Sequence, residues 1–231
     1  MEKVSVSCAV VMPRASTADR ACVPGSVFDG PMGEIIGARV GEILVVRHGQ
    51  TEWSRSGQHT GVTDLPLLPE GEDQARALRT SLAGRSFAAV WVSPRLRARR
   101  TAELAGLAAT GIDDDLVEMD YGGYEGRTTA DISAELGRPW SVWLDGGPDD
   151  CPGETPADVG LRVDRVIDRA RACLTDGDVA LVAHGHVLRI LTARWLGLPP
   201  GSGALFALPA GSYGVLGFEH DRPVLSAWAA R

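Results

Sequence analysis

Apolar residues fall along the chain in short unbroken runs, separated by stretches with a three- and four-residue period. Ile43-Leu44-Val45-Val46 is apolar at every position and ends in Arg47-His48-Gly49. That is how a strand buried on both faces reads, with a polar loop at its carboxyl end. A loop rich in Gly, Ser and Thr follows. A helix is then predicted from about Pro69 to Leu82, with Ala75, Leu78 and Leu82 on one face and Pro69 suited to its first turn. Phe87 to Val92 reads as a second buried strand, after which Ser93-Pro94 opens a helix over Arg95 to Leu107. Val159, Val163, Val166, Ala170 and Leu174 form the apolar stripe of a helix from Thr155 to Leu174. Val179 to Ala183 is a third apolar strand, ending in His184-Gly185-His186 before a helix from Val187 to Leu196. Tyr213 to Phe218 and Val224 to Trp228 flank His220-Asp221-Arg222-Pro223 and suggest an antiparallel edge pair.

Strands alternating with helices predict an α/β fold: a three-layer α/β/α sandwich on a mostly parallel sheet, with an antiparallel edge near the C-terminus. Residues 1–40 carry no clean period and contain Pro13, Pro24, Gly25, Gly30, Pro31 and Gly33. They read as a poorly ordered N-terminal extension, and Met32 offers an alternative start of translation. Residues 41–231 read as a single domain. In such sheets ligands bind at the carboxyl ends of the strands. Three of those ends carry Arg47-His48-Gly49, Ser93-Pro94-Arg95-Leu96-Arg97 and His184-Gly185-His186. Two histidines and several arginines, distant in sequence, are thereby directed to one edge.

Composition narrows the partners. Lys+Arg 23 against Asp+Glu 30 leaves a net charge of −7 in 231 residues, which disfavours binding to nucleic acid or to an anionic membrane through bulk charge. No apolar run approaches the ~20 residues that span a bilayer, and Met-Glu-Lys is a poor start for a secretory signal. Cys8, Cys22, Cys151 and Cys173 have no zinc-type spacing, so free thiols in a cytoplasmic protein are expected.

The residue types at that edge suit phosphoryl transfer. Arginine forks match phosphoryl oxygens in geometry and charge. A neutral imidazole can attack phosphorus, splitting one hard step into two, while a carboxylic acid protonates the leaving alkoxide and later activates water. The helix N-terminus after Ser93 adds backbone donors for the same anion.

Val46-Arg47-His48-Gly49-Gln50-Thr51-Glu52-Trp53 resembles the Arg-His-Gly motif of the histidine phosphatase superfamily, the phosphoglycerate-mutase-like proteins. Ser93-Pro94-Arg95-Leu96-Arg97-Ala98-Arg99-Arg100-Thr101-Ala102 is similar to that family's second motif. Leu116-Val117-Glu118 with Tyr121-Gly122-Gly123-Tyr124-Glu125-Gly126 resembles its acid-bearing segment, and Ala183-His184-Gly185 its last motif. The resemblance covers roughly residues 42 to 230. Within the superfamily it runs nearest to the sedoheptulose bisphosphatase branch, through Trp53 to Gly61, Arg138-Pro139-Trp140 with Trp143, Gly153-Glu154-Thr155 and Gly160-Leu161-Arg162. His59 departs from the tyrosine usual there, and Met119 from a tryptophan.

The resemblance implies a metal-independent phosphatase without a cofactor, acting on a small phosphorylated sugar or polyol through a phosphohistidine. By its pattern His48 is the nucleophile, Arg47, Arg97 and His184 hold the phosphoryl group, and Glu118 is acid and then base. Gln50, Ser54, His59, Thr60, Ser93, Tyr121, Arg162 and Gly185 match positions expected to contact substrate. Arg162 is expected to point off its helix's apolar stripe toward a second phosphate. A phosphoglycerate-type mutase and a non-catalytic binding module on the same fold are the competing readings, and a homodimer is compatible with either. Plainer readings stand beside these: Arg99 and Arg100 as a solvated basic face, the acidic run around Asp113, Asp114, Asp115 and Asp120 as a solvated loop, and Trp140 and Trp143 as core or lid. His184 and His186 as an H-x-H metal pair is disfavoured, since no carboxylate accompanies them in sequence.

Overall fold

The computed structural model describes residues 40–231, so the expected extension lies outside the described residues. Six strands form one sheet in the order β3-β2-β4-β1-β5-β6. They are β1 (Ile43–Arg47), β2 (Phe87–Val92), β3 (Gly111–Ile112), β4 (Asp178–Ala183), β5 (Tyr213–Glu219) and β6 (Arg222–Ala230). β1, β2, β3 and β4 pair in parallel, whereas β5 runs antiparallel to both β1 and β6. The expected mostly parallel sheet with an antiparallel C-terminal edge is therefore present.

The unbroken apolar runs have a direct cause: both faces of the central strands are covered. Ile43 and Val45 of β1, Ala89 and Trp91 of β2, and Val179 and Leu181 of β4 join one core. Leu44, Val46, Val90, Val92, Ala180 and Val182 join the other. The first core also takes up α5 (Pro156–Cys173) and α6 (Gly185–Trp195); the second takes up α2 (Pro69–Ser81) and α3 (Leu96–Leu104). With strict alternation along a strand, each side chain of a buried run has a helix to pack against.

Several boundaries differ from the expected ones, each for a local reason. The Gly-, Ser- and Thr-rich loop contains a short helix, α1 (Glu52–Ser56), because Thr51 and Ser54 form a reciprocal capping box and Gly57 takes a left-handed φ of 82°. α3 stops three residues short of Leu107, and the Leu107 amide closes back on the Ala102 carbonyl at 2.9 Å. α6 begins two residues early, with His184 as its N-cap in an extended conformation. A further helix, α4 (Thr129–Leu136), and the edge strand β3 carry too few apolar positions to announce themselves. Cys151 is disulfide-bonded, so the free-thiol expectation fails for that residue. No helix among the described residues is long and apolar enough to cross a membrane.

The topology places the site. β2, β4 and β1 are adjacent, and their carboxyl ends carry Ser93, His184 and His48. The three motifs are far apart in sequence and share one sheet edge.

Candidate active site

His48 follows β1 and is buried, 4% exposed. Its Nδ1 lies 2.7 Å from the Gly49 carbonyl oxygen. A carbonyl only accepts, so Nδ1 carries the proton and Nε2 carries the lone pair. Burial, then the charges of Arg97 and Arg47, push the His48 pKa well below the usual 6.5 for imidazole, keeping the ring neutral. Gly49 is required here by space: a Cβ on it would come within 2.1 Å of the Gly71 carbonyl in the first turn of α2.

His184 packs edge-on against His48, with ring centroids 5.2 Å apart and planes at 61°. Its tautomer is opposite. Arg97 Nε donates to Nδ1 at 3.0 Å, so that nitrogen is unprotonated, and Nε2–H donates to Ser93 Oγ at 2.7 Å. Burial and the Arg97 charge also hold the His184 pKa well below 6.5.

Arg97 is fully buried on α3. It was expected to offer its fork to a phosphate, but most of that fork is committed. Nη1 donates to the Thr63 carbonyl at 2.9 Å, and Nη2 donates to the carbonyls of Thr60 at 3.0 Å and Gly61 at 3.3 Å. Arg97 thus orients His184 and ties the loop of residues 60–63 to the sheet edge, leaving its charge, with little of its hydrogen-bonding capacity, for a ligand. Thr101, which sequence reasoning passed over, is buried beside it; its hydroxyl accepts the Gly49 amide at 3.0 Å and donates to the Arg97 carbonyl at 2.8 Å.

Two guanidinium groups at this edge do keep spare donors. Arg47 Nη1 donates to the Leu208 carbonyl, yet its Nε is buried without a partner. Arg95, the N-cap of α3, likewise has a buried and unpartnered Nε. Trp91 Nε1 and Arg169 Nε are also buried without a partner, so it is their place at the strand-end edge that marks the Arg47 and Arg95 donors. Arg47 lies against Gly185, where a Cβ would come within 3.2 Å of its Cζ.

Glu118 is buried and its carboxylate sits on the N-terminus of α6. Oε2 accepts the His186 amide at 3.0 Å, and Oε1 accepts those of Val187 and Met119 at 2.9 Å. This satisfies helix-end donors that no side chain of the N-cap residue reaches. The acidic run around Glu118 is solvated only in part: Asp114 is exposed, and Asp115 and Asp120 are half-buried. Asp113 is fully buried, caps the following turn through the Asp115 amide at 2.9 Å and pairs with Arg169 at 2.6 Å.

A wall of rings continues from Glu118. Tyr121, buried, places its hydroxyl 2.7 Å from His186 Nδ1. Burial and the Glu118 charge raise the Tyr121 pKa well above 10, so the phenol stays protonated. His59 packs on Tyr121 at 4.7 Å and on Trp140 at 5.3 Å, and Trp143 packs on His186 at 4.9 Å. Trp140 is therefore core, while Trp143 is half-buried and carries Arg189 on its outer face at 4.5 Å. His186 entered the sequence reading only as a metal option. His184 turns both ring nitrogens to Arg97 and Ser93, and His186 turns to Tyr121, so the pair does not converge on one point. No group of three or more His, Cys, Asp or Glu among the described residues is arranged to hold a metal ion.

The remaining candidates divide. Thr60 and Ser93 touch Arg97 and His184 directly. Ser54 is committed to capping α1, with its Oγ accepting the Thr51 amide at 2.8 Å, and the Gln50 amide donates to Gln74 Oε1 at 2.9 Å. Arg162 requires a correction. It does not leave the buried stripe of α5 and is only 7% exposed. Four of its five N–H donors are taken by Glu154 and by two backbone carbonyls, and its charge is paired with Glu154, so no fork is left for a second phosphate.

The family model of the histidine phosphatase superfamily (branch 1) matches residues 43–231. An acid phosphatase of Mycobacterium tuberculosis is 41% identical over 189 residues, spanning 80% of this chain and 90% of that protein. Sedoheptulose 1,7-bisphosphatase of Saccharomyces cerevisiae is 41% identical over 187 residues, spanning 67% of each. The solved structure of the open reading frame Rv3214 product from Mycobacterium tuberculosis matches with a TM-score of 0.78 at 38% identity, covering 83% of this chain and 98% of that one. With its strand-end histidines and the match across nearly all described residues, this chain belongs to the histidine phosphatase superfamily, branch 1.

Proposed function

We propose that residues 41–231 form a metal-independent phosphatase domain that hydrolyses a small phosphorylated sugar or polyol through a phosphohistidine. The observation that carries this reading is the state of His48. It is a neutral imidazole, its Nδ1 proton is held by the Gly49 carbonyl, and it sits beside His184 among the charges of Arg47 and Arg97. Nε2 attacks phosphorus and the P–O ester bond breaks. Arg47, through its uncommitted Nε–H, meets the phosphoryl oxygens, where negative charge is concentrated, and His184 lines the same edge with its Nε2–H held by Ser93 Oγ. Protonated Glu118 gives its proton to the leaving alkoxide. The carboxylate so formed is received by the amides of Met119, His186 and Val187. Water then attacks the phosphohistidine, Glu118 takes its proton, and inorganic phosphate leaves with His48 restored. The net reaction is ester plus water to alcohol plus phosphate.

The ring wall of His59, Tyr121, Trp143 and His186 supports a polyol leaving group, because it sets flat apolar faces beside polar ring edges. The relatives named acid phosphatase and sedoheptulose 1,7-bisphosphatase support hydrolysis. Phosphate release from a panel of sugar and polyol phosphates, with and without chelator, tests the assignment. Release that depends on added metal, or a labelled phosphoryl group returned to a second hydroxyl of the substrate, would replace hydrolysis by metal catalysis or mutase action.

Two expectations follow for this site. Only neutral His48 can attack, and its pKa lies well below 6.5, so protonation removes activity only at correspondingly acid pH. The acid limb of kcat/KM, recorded from pH 4 to 8, is expected below 6.5; a limb at the ordinary imidazole value would contradict the buried neutral ring. Arg95 is the second guanidinium at this edge with a buried spare donor. Arg95→Ala is expected to raise KM about 10-fold, the scale of one charge-assisted hydrogen bond, with kcat nearly unchanged. Steady-state kinetics on the best substrate of the panel decide it, and an unchanged KM removes Arg95 from the site.

A further inference from the structure

The segment that carries Glu118 is held from the α5 side by two residues. Arg162 Nη1 donates to the carbonyls of Asp115 at 2.7 Å and Val117 at 2.8 Å. Its Nε and Nη2 form a bidentate pair with the Glu154 carboxylate, at 2.9 and 3.0 Å. Glu154 in turn grips the other side of Glu118: Oε2 accepts the Asp120 amide at 3.0 Å, and the Glu154 amide donates to the Asp120 carbonyl at 2.8 Å. The backbone is therefore pinned at positions 115, 117 and 120, on both sides of residue 118. Arg162 is 7% exposed, so a guanidinium has been buried and satisfied here at a desolvation cost that a solvent-facing arginine would not incur.

We infer that Arg162 and Glu154 are positioning residues for the Glu118 carboxyl, acting on proton transfer and on no part of substrate binding. This rests on the reading of Glu118 as the acid. The reasoning is geometric. Proton transfer requires the carboxyl within hydrogen-bond reach of the leaving oxygen, and the Glu118 side chain is long enough to lose that register if its backbone shifts. Without the clamp the two amides at the α6 N-terminus, of His186 and Val187, still attract the carboxylate, but the segment bearing it is free to move against them. A phosphate contact at Arg162 would give the opposite signature, since a remote binding group lost from the substrate appears in KM.

The test uses Arg162→Lys, which keeps one donor for the carbonyls, and Glu154→Gln, which loses the ion pair without losing volume. Single-turnover phosphorylation of the full-length protein is followed with an alkyl phosphate and with p-nitrophenyl phosphate, alone and in a Glu118→Gln background. Either substitution is expected to slow phosphorylation by the alkyl ester about 10- to 100-fold, the scale for a misplacement of about 1 Å, while KM stays within about twofold. The p-nitrophenolate burst, which needs little proton donation, is expected to survive, and this shows that the variant is folded. In the Glu118→Gln background the further loss is expected to vanish, because the group being positioned can no longer give a proton. A raised KM with intact turnover, or an alkyl-ester loss undiminished in the Glu118→Gln background, overturns the inference and leaves Glu118 as the acid. A Glu118→Gln protein that handles both esters normally overturns the acid assignment and the clamp together. Should Arg162→Lys show no burst, Glu154→Gln decides between the same outcomes.

Discussion

His48→Ala is expected to lower turnover by at least about 10⁴-fold, equivalent to ~5.4 kcal/mol at ~1.36 kcal/mol per decade. The size follows from the covalent step. Removing the imidazole removes the nucleophile, and the Arg47 donor and the Arg97 charge that remain can still hold the phosphoryl group but have nothing to transfer it to. Wild-type protein mixed briefly with radiolabelled substrate and quenched in alkali should retain label, and that label should be lost in acid, as a phosphoramidate requires. His48→Ala should retain none. Near-wild-type turnover by this variant would leave the phosphohistidine reading without support. Folding is not expected to fail, because the strand that presents residue 48 is held by β4 and β5 on its two sides and is apolar from Ile43 to Val46. A circular dichroism spectrum checks that condition directly.

Glu118→Gln should produce the second large effect, and a selective one. The amide keeps the size of the carboxyl but cannot supply the proton, so alkyl esters should lose about 10²- to 10⁴-fold in the phosphorylation step. An aryl ester whose leaving group departs unprotonated should be partly spared in that step. Later hydrolysis of the phosphohistidine, where Glu118 acts as base, should be slow for both. Burst kinetics with p-nitrophenyl phosphate separate the two phases. Equal losses for alkyl and aryl esters in the burst would mean that Glu118 only holds the α6 N-terminus, which its contacts with the His186 and Val187 amides also permit. The leaving-group dependence, rather than the bare loss of rate, is therefore the informative measurement.

Much of this architecture was legible in the residue pattern. The runs Ile43 to Val46, Phe87 to Val92 and Val179 to Ala183 are apolar at nearly every position because helices cover both faces of those strands, and burial on both sides leaves no other choice of residue. Their polar ends therefore had to leave the sheet on one side, which set His48, Ser93 and His184 together before any contact was known. The stripe of α5 was equally plain, since a three- and four-residue period survives whatever packs against it.

Local patterns do not encode partners. α4 and β3 escaped notice because a short element with few apolar positions has no period to read. Arg162 was misread because helical spacing fixes an angle about the axis and says nothing of what waits there; Glu154 and the carbonyls of Asp115 and Val117 were waiting. Arg97, read as a phosphate clamp, spends its donors on His184 and on a loop more than thirty residues away, a choice made by chain crossings alone. The opposite tautomers of His48 and His184 likewise follow from which neighbour each Nδ1 faces, a carbonyl in one case and a guanidinium in the other. Residue identity was enough to bring the chemistry to the sheet edge. Which atom holds the proton there was decided by tertiary contacts, because a hydrogen bond depends on distances of tenths of an ångström between groups that sequence separates by tens of residues.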